Sequence, residues 1–224
     1  MSEALPDSNS AETVNEAELD SVALSALLSS RVCHDLINPV GAIGSGLDVL
    51  DDPDMEGGMR DAAMDLIRSG AGKAIDLLSY ARLAYGAAGG YGAQISLEEA
   101  KKVLEGVYRH TKAELTWGLG TELAPKEAVK VLLILAYAAA DSAPRGGNVE
   151  ISGKISDFRI HVTGKRVMIQ DGLVNALGGD VNDLAPKYTP ALIAAKIVAE
   201  TGGKMIIQRE EKSVTFQASF DLGA

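Results

Sequence analysis

Two apolar stripes at helical spacing constrain this chain more than any other feature in it. Cys33, Leu36, Val40, Ile43, Leu47 and Leu50 recur at steps of three and four. After a break the pattern resumes with Ala63, Ile67, Gly70, Ala74, Leu77, Ala81 and Ala84. That period puts each set on one side of a helix. The break, Asp51-Asp52-Pro53-Asp54 followed by Gly57-Gly58, is turn chemistry. The pair predicts a helical hairpin with heptad-like seams. Two helices cannot cover two such seams alone. Pairing two hairpins into a four-helix bundle would cover them, making the chain a homodimer. The expected dimer interface is then Leu36, Val40, Ile43, Leu47, Ile67, Ala74, Leu77 and Ala81. Packing of the stripes on the rest of the same chain is the alternative.

Around that hairpin the chain divides into three parts. Residues 1–14 are polar with few apolar anchors, and are expected to form a disordered tail. Asn15 followed by Glu18 reads as a capping box opening the hairpin domain, 15–88. Gly86, Gly89, Gly90 and Gly92, around Tyr91, read as a linker to a second domain over 92–224. In that domain Ser96 with Glu99 caps a helix running to about Arg109. Pro125 stands in the first turn of an apolar helix that runs to about Ser142. Val149–Ile151 and Phe158–Val162 alternate with period two, as strands do. A helix from about Pro190 to Thr201 precedes a hairpin of strands, Lys204–Arg209 and Ser213–Phe220. Asp171-Gly172 and Gly178-Gly179 read as turns. The fold class is α+β, a helical hairpin followed by an α/β sandwich.

Composition excludes several functions. The 224 residues carry 21 basic against 31 acidic side chains, a net charge of −10. Nothing so acidic neutralises a row of phosphates, so no nucleic-acid partner is expected. A single cysteine excludes an internal disulfide and a multi-cysteine metal site. No apolar run reaches the roughly 18–20 residues of a membrane span. The first residues lack the positive and apolar regions of a signal peptide, so the expected location is the cytoplasm with no membrane partner.

One constellation carries chemistry: Arg31-Val32-Cys33-His34-Asp35-Leu36-Ile37-Asn38-Pro39. At 100° per residue, His34 falls about 150° from the centre of the apolar stripe and faces outward. Arg31, Asn38 and Ser45 lie near the same meridian. Asp35 stands close enough to orient or deprotonate an imidazole. Pro39 removes a backbone hydrogen bond and is expected to bend the helix on that side. An exposed imidazole beside a carboxylate suits a proton shuttle, a nucleophile or a metal ligand. His110 and His161 offer no matching ligand spacing, so no metal site is expected. Cys33 belongs to the apolar stripe and reads as packing.

The segment His34-Asp35-Leu36-Ile37-Asn38-Pro39-Val40 resembles the H-box of bacterial histidine kinases, which sits on the first helix of a dimeric hairpin. The second domain resembles the kinase ATPase domain in layout. Val131–Gly147 is similar to the helix around the N-box, and Tyr188–Gly203 to the helix after the ATP lid. Three departures matter. Ala138 stands where the N-box places its magnesium-binding asparagine. Thr163-Gly164-Lys165-Arg166 replaces an Asp-x-Gly-x-Gly. Tyr188 and Pro190 replace the lid glycines whose amides approach phosphates.

A kept histidine on a degenerate ATPase fold resembles the ChpT family of histidine phosphotransferases. The resemblance implies a phosphorelay without ATP binding and without a nucleotide site, of the CckA to CtrA/CpdR type. A receiver domain of a hybrid histidine kinase would phosphorylate His34, which would pass the group to response regulators. Asp35 would orient the ring and Asn38 would hold the phosphoryl group or a receiver loop. The protein would have no cofactor of its own, with Mg²⁺ carried by the partner receiver. The expected partner-binding surface is Leu27, Arg31, Gly41, Ala42 and Ser45. An ATP-dependent sensor kinase core, or a non-catalytic scaffold, are the alternatives.

Overall fold

The computed structural model describes residues 19–86 and 94–221. The expected tail, the Asn15–Glu18 cap and the glycines of the expected linker beyond Gly86 lie outside the described residues. Helix α1 (Ser21–Asp51) is instead capped by Asp20, whose carboxylate accepts from the Val22 amide. It packs along α2 (Gly58–Ala84) as the stripes predict. The seam is built on small residues. A Cβ at Gly46 would stand 2.6 Å from the Ile67 side chain, and one at Gly70 would stand 2.6 Å from the Pro39 carbonyl. Only hydrogen at these positions lets the two backbones come this close.

The phase of the α1 stripe differs from the sequence expectation. Pro39 and Gly46 are buried toward α2, while Val40 and Leu47 are 53% and 48% exposed. Cys33 is also exposed, so its reading as packing is corrected. Pro39 sits inside an unbroken helix on the hairpin's inner side, rather than opening the face that carries His34. Ala74 and Leu77 are buried within the chain, and Leu36 packs on the same core as Leu77. These three are therefore not faces offered to a second copy. Exposed apolar residues remain on both helices, including Ile37, Val40, Leu47, Met64, Ile75 and Leu78.

The rest of the chain is a sheet with helices on one face. After β1 (Gln94–Ser96) come α3 (Leu97–Tyr108), β2 (Ala113–Trp117), β3 (Leu123–Pro125) and α4 (Lys126–Asp141). Next come β4 (Gly147–Lys154), β5 (Asp157–Gly164), α5 (Asp171–Leu177), α6 (Thr189–Glu200), β6 (Lys204–Arg209) and β7 (Ser213–Ser219). The main sheet runs β2-β4-β5-β7-β6, with β2 and β4 parallel and the other neighbours antiparallel; β1 and β3 form a separate small pair. Alternation decides the faces. Ile151, Ile160 and Phe216 lie in register and fully buried, while the next row, Glu150, His161 and Thr215, points away. His161 bonds Thr215 there at 2.9 Å, a structural role.

Helix α4 is apolar nearly all round because it is the centre of the core; Val131 through Ala136 are all buried. Two local expectations change. Ser96 does cap α3, but it accepts from the Glu98 amide, and Glu99 pairs with Arg82 of α2 at 3.1 Å. Asp171-Gly172 opens α5 rather than forming a turn, and Gly178-Gly179 closes it. Gly179 has φ +87°, the left-handed region that glycine enters without strain.

The hairpin is fastened to the sandwich at several points. Asp76 of α2 accepts from Arg109 at 3.1 Å and bonds the His110 ring at 2.8 Å. Lys130 donates to the Gly86 carbonyl at 2.7 Å. Asp76→Ala removes the acceptor for two side chains and should cost about 1–3 kcal/mol. Urea unfolding should show a lower midpoint with an unchanged slope. An unchanged midpoint would mean the clamp contributes nothing to stability.

Candidate functional site

His34 lies near the middle of α1, with its side chain 77% exposed. Its Nδ1 faces the Asp35 carboxylate, 3.6 Å from Oδ1. That is ion-pair range but too long for a made hydrogen bond. Among the described residues no hydrogen bond reaches its other ring nitrogen, Nε2, which leaves that atom open to an incoming electrophile. Asp35 is half-buried, and its Oδ2 accepts from Arg31 Nε at 2.8 Å. A neutral imidazole protonated on Nδ1 would present its lone pair outward on Nε2, with the carboxylate behind the proton. This arrangement suits nucleophilic catalysis.

The residues expected beside it separate into two groups. Asn38, Gly41 and Ser45 are exposed on α1, and a Cβ at Gly41 would meet nothing within 4 Å. Leu27 is half-buried, while Leu24 packs on the sandwich core. Ala42 is half-buried and faces α2 against Gly70, away from the exposed Asn38, Gly41 and Ser45. Arg31 turns inward as well. Its side chain is only 13% exposed and reaches the Lys187 carbonyl at 3.5 Å, so it is not part of an open docking surface.

Arg31 lines a cavity where the hairpin meets the sandwich. Ala138 and Asp141 of α4 form one wall, and Tyr188, Pro190 and Ala191 another. Tyr80 of α2, Tyr85 at its C-cap and Tyr137 of α4 fill much of the space; Tyr80 and Tyr137 lie 4.8 Å apart with their rings tilted by 59°, and Tyr80 and Tyr85 meet edge-on at 5.6 Å. Burial pushes Tyr85 and Tyr137 up to about 12. The remaining cavity is about 50 Å³. Ligand pockets run to roughly 300–1,000 Å³, so the space left here is well below that range. Lys187 pairs with Asp141 at 3.5 Å across it, and the Tyr188 hydroxyl donates to Gln170. Thr163 and Gly164 do not reach this cavity; they line a separate opening with Glu210 and Ser213, and the segment that does reach it is Met168–Gln170.

Comparison with known proteins decides the family. Residues 97–213 match the family described as the histidine phosphotransferase C-terminal domain. The chain is 37% identical over 211 residues to the protein phosphotransferase ChpT of Brucella abortus (strain 2308), spanning 89% of this chain and 97% of that protein. The chain belongs to the ChpT family of histidine phosphotransferases. A 1.7 Å structure of a bacterial phosphotransferase superposes with a TM-score of 0.79 at 33% identity, covering 91% of this chain and 99% of that one. The expected α+β fold and the resemblance both stand, and the protein is a phosphotransferase.

In this phosphotransferase the sequence pattern left the joint between hairpin and sandwich unseen. Only six tyrosines occur in 224 residues, and four of them, Tyr80, Tyr85, Tyr137 and Tyr188, line one cavity. That concentration was the available signal. Among the described residues no cluster of three or more His, Cys, Asp or Glu side chains could hold a metal, and no helix is long and apolar enough to cross a membrane.

Proposed function

We propose that the phosphotransferase relays phosphoryl groups between receiver domains through His34, without using ATP. The observation that carries this is the exposed imidazole of His34, held mid-helix beside the Asp35 carboxylate. A phospho-aspartate on the receiver of a hybrid kinase is attacked in line by Nε2. The N–P bond forms as the acyl P–O bond breaks, and the receiver carboxylate leaves. The proton on Nδ1 stays, facing Asp35. The reverse geometry hands the group to a response regulator. Phosphoryl transfer asks mostly for positioning and charge neutralisation, so one oriented imidazole suffices here. Mg²⁺ is carried by the receiver's carboxylates, and the phosphotransferase supplies no metal ligand. Asn38, one turn after His34, contacts the phosphoryl group or the receiver's loop, and Gly41 leaves room for close approach.

The filled interdomain cavity, with Ala138, Tyr188 and Pro190 on its walls, supports the absence of nucleotide binding. The exposed apolar residues of α1 and α2 support a homodimer, with a four-helix bundle formed across Val40 and Leu47. Cytoplasmic location follows from partners that are themselves signalling proteins of the cytoplasm. The test is transfer from a phosphorylated receiver domain. The unmodified protein should take label, and His34→Ala should fold normally and take none. Label that survives the substitution overturns the reading.

A further inference from the structure

Arg31 stands three residues before His34, yet its side chain leaves the surface and runs between Asp35 and the sandwich. Its Nε donates to Asp35 Oδ2 at 2.8 Å, which leaves Oδ1 to face His34 Nδ1 at 3.6 Å. From the other side its Nη1 reaches the Lys187 carbonyl at 3.5 Å, and Tyr85 and Tyr137 flank it in the cavity. We propose that Arg31 is a positioning residue for phosphotransfer, fixing the Asp35 carboxylate that orients the His34 ring. This rests on His34 being the phosphoacceptor.

Three considerations support the role. His34 is 77% exposed and meets no hydrogen bond from another described residue, so its ring orientation depends on Asp35. The terminal torsion of an aspartate is broad and roughly two-fold, so an unrestrained carboxylate would not hold one oxygen toward Nδ1. A charged guanidinium donating to the other oxygen removes that freedom. Burial works most strongly against the charge on Arg31, but the Asp35 carboxylate, Tyr85 and Tyr137 beside it together outweigh burial and hold the pKa above the ordinary arginine value. Helix stability is a poor account of the pair. A cation placed four residues before an acid is the less favourable order along a helix. An arginine serving the helix alone would also have no need to lie 13% exposed against another layer.

The consequence is that the sandwich contributes to the reaction without touching the phosphoryl group. It meets Arg31 through the Lys187 carbonyl, Arg31 holds Asp35, and Asp35 keeps one oxygen facing the imidazole. The chain of contacts is short, and each link is a named pair of atoms.

The decisive experiment is a double-mutant cycle on transfer from a phosphorylated receiver, with receiver affinity measured in parallel. Arg31→Met keeps the aliphatic stem and removes the donors; transfer should slow about ten-fold while receiver affinity is unchanged. Asp35→Asn should slow it at least as much. The two together should be no slower than Asp35→Asn alone, because Arg31 acts only through that carboxylate. Arg31→Lys, which keeps the charge but loses the planar fork, should fall between Met and the unmodified protein, and it covers the case in which Arg31→Met folds poorly. Long-range ¹H–¹⁵N spectra of the unphosphorylated protein should show the His34 tautomer equilibrium shifting in Arg31→Met. Transfer at the unmodified rate in Arg31→Met overturns the proposal, as do losses that multiply in the double variant. Label on His34→Ala instead overturns the assignment of the phosphoacceptor, whatever Arg31 does.

Discussion

With labelled ATP and Mg²⁺ the phosphotransferase stays unlabelled, and with a phosphorylated hybrid-kinase receiver it takes label within the mixing time of a bench assay; these are the expected results. The difference between the two mixtures is expected to be complete. A nucleotide needs an anchor for Mg²⁺, donors for its phosphates and space. Ala138 supplies no ligand, and Pro190 has no amide to donate. The space is occupied by Tyr80, Tyr85 and Tyr137, with about 50 Å³ left. Triphosphate charge would also stand uncompensated beside a chain of net charge −10. A receiver brings its own metal and its own activated phosphoryl group, so it needs only the nucleophile. Chasing the label onto a response regulator completes the test. Label from ATP would make the protein a kinase, and label in neither mixture would make it a scaffold.

The second large effect separates two leucines that share a stripe pattern. Leu77 is 6% exposed and belongs to the core that joins the hairpin to the sandwich. Leu77→Asp loses a packed side chain, worth about 2–5 kcal/mol, and buries a carboxylate at a cost of several kcal/mol more. Native stabilities are about 5–15 kcal/mol, so the variant should be largely unfolded at 25 °C by circular dichroism. Leu47 is 48% exposed in one chain, so Leu47→Asp should leave the fold intact. It should instead abolish pairing of two copies. Light scattering should give twice the mass of one chain for the unmodified protein and a single mass for Leu47→Asp. A single-chain mass for the unmodified protein at micromolar concentration would overturn the dimer.

Much of the architecture was legible because it is periodic. The hairpin, α4, α6 and the β4–β5 and β6–β7 pairs each show a spacing that their packing explains. The α1 seam was misphased because two apolar stripes interleave on that helix. Pro39, Ile43 and Gly46 run beside Val40 and Leu47, and hydropathy alone cannot say which set meets α2. The small residues, Gly46 and Gly70, were the better guide, since only they permit the close approach. Strands β1 and β3 have three residues each, too few for a period. Strand β2 pairs in parallel with β4, a contact that no local signal marks. Helix α5 was hidden between Asp-Gly and Gly-Gly, which read as turns from either side.

The site was legible where it depends on sequence neighbours and opaque where it depends on the next layer. His34 and Asp35 are adjacent, and the helical phase alone placed the imidazole outward. Arg31 sits on nearly the same meridian, and nothing in the sequence says that its long side chain turns to the Lys187 carbonyl. Ala42 shares that ambiguity, since it is half-buried against Gly70.

Separate layers joined by a short stretch of chain ordinarily tumble against one another. Here Asp76 grips Arg109 and His110, Lys130 holds the Gly86 carbonyl, and Tyr80 donates to the Leu133 carbonyl in the core of α4. The orientational freedom of the sandwich is therefore lost during folding and not at docking. A receiver that touches both α1 and the sandwich meets a surface already assembled, and the entropy it gives up is its own. Such a surface can hold a partner long enough for transfer with a modest contact area. It can also release that partner quickly once the group has moved.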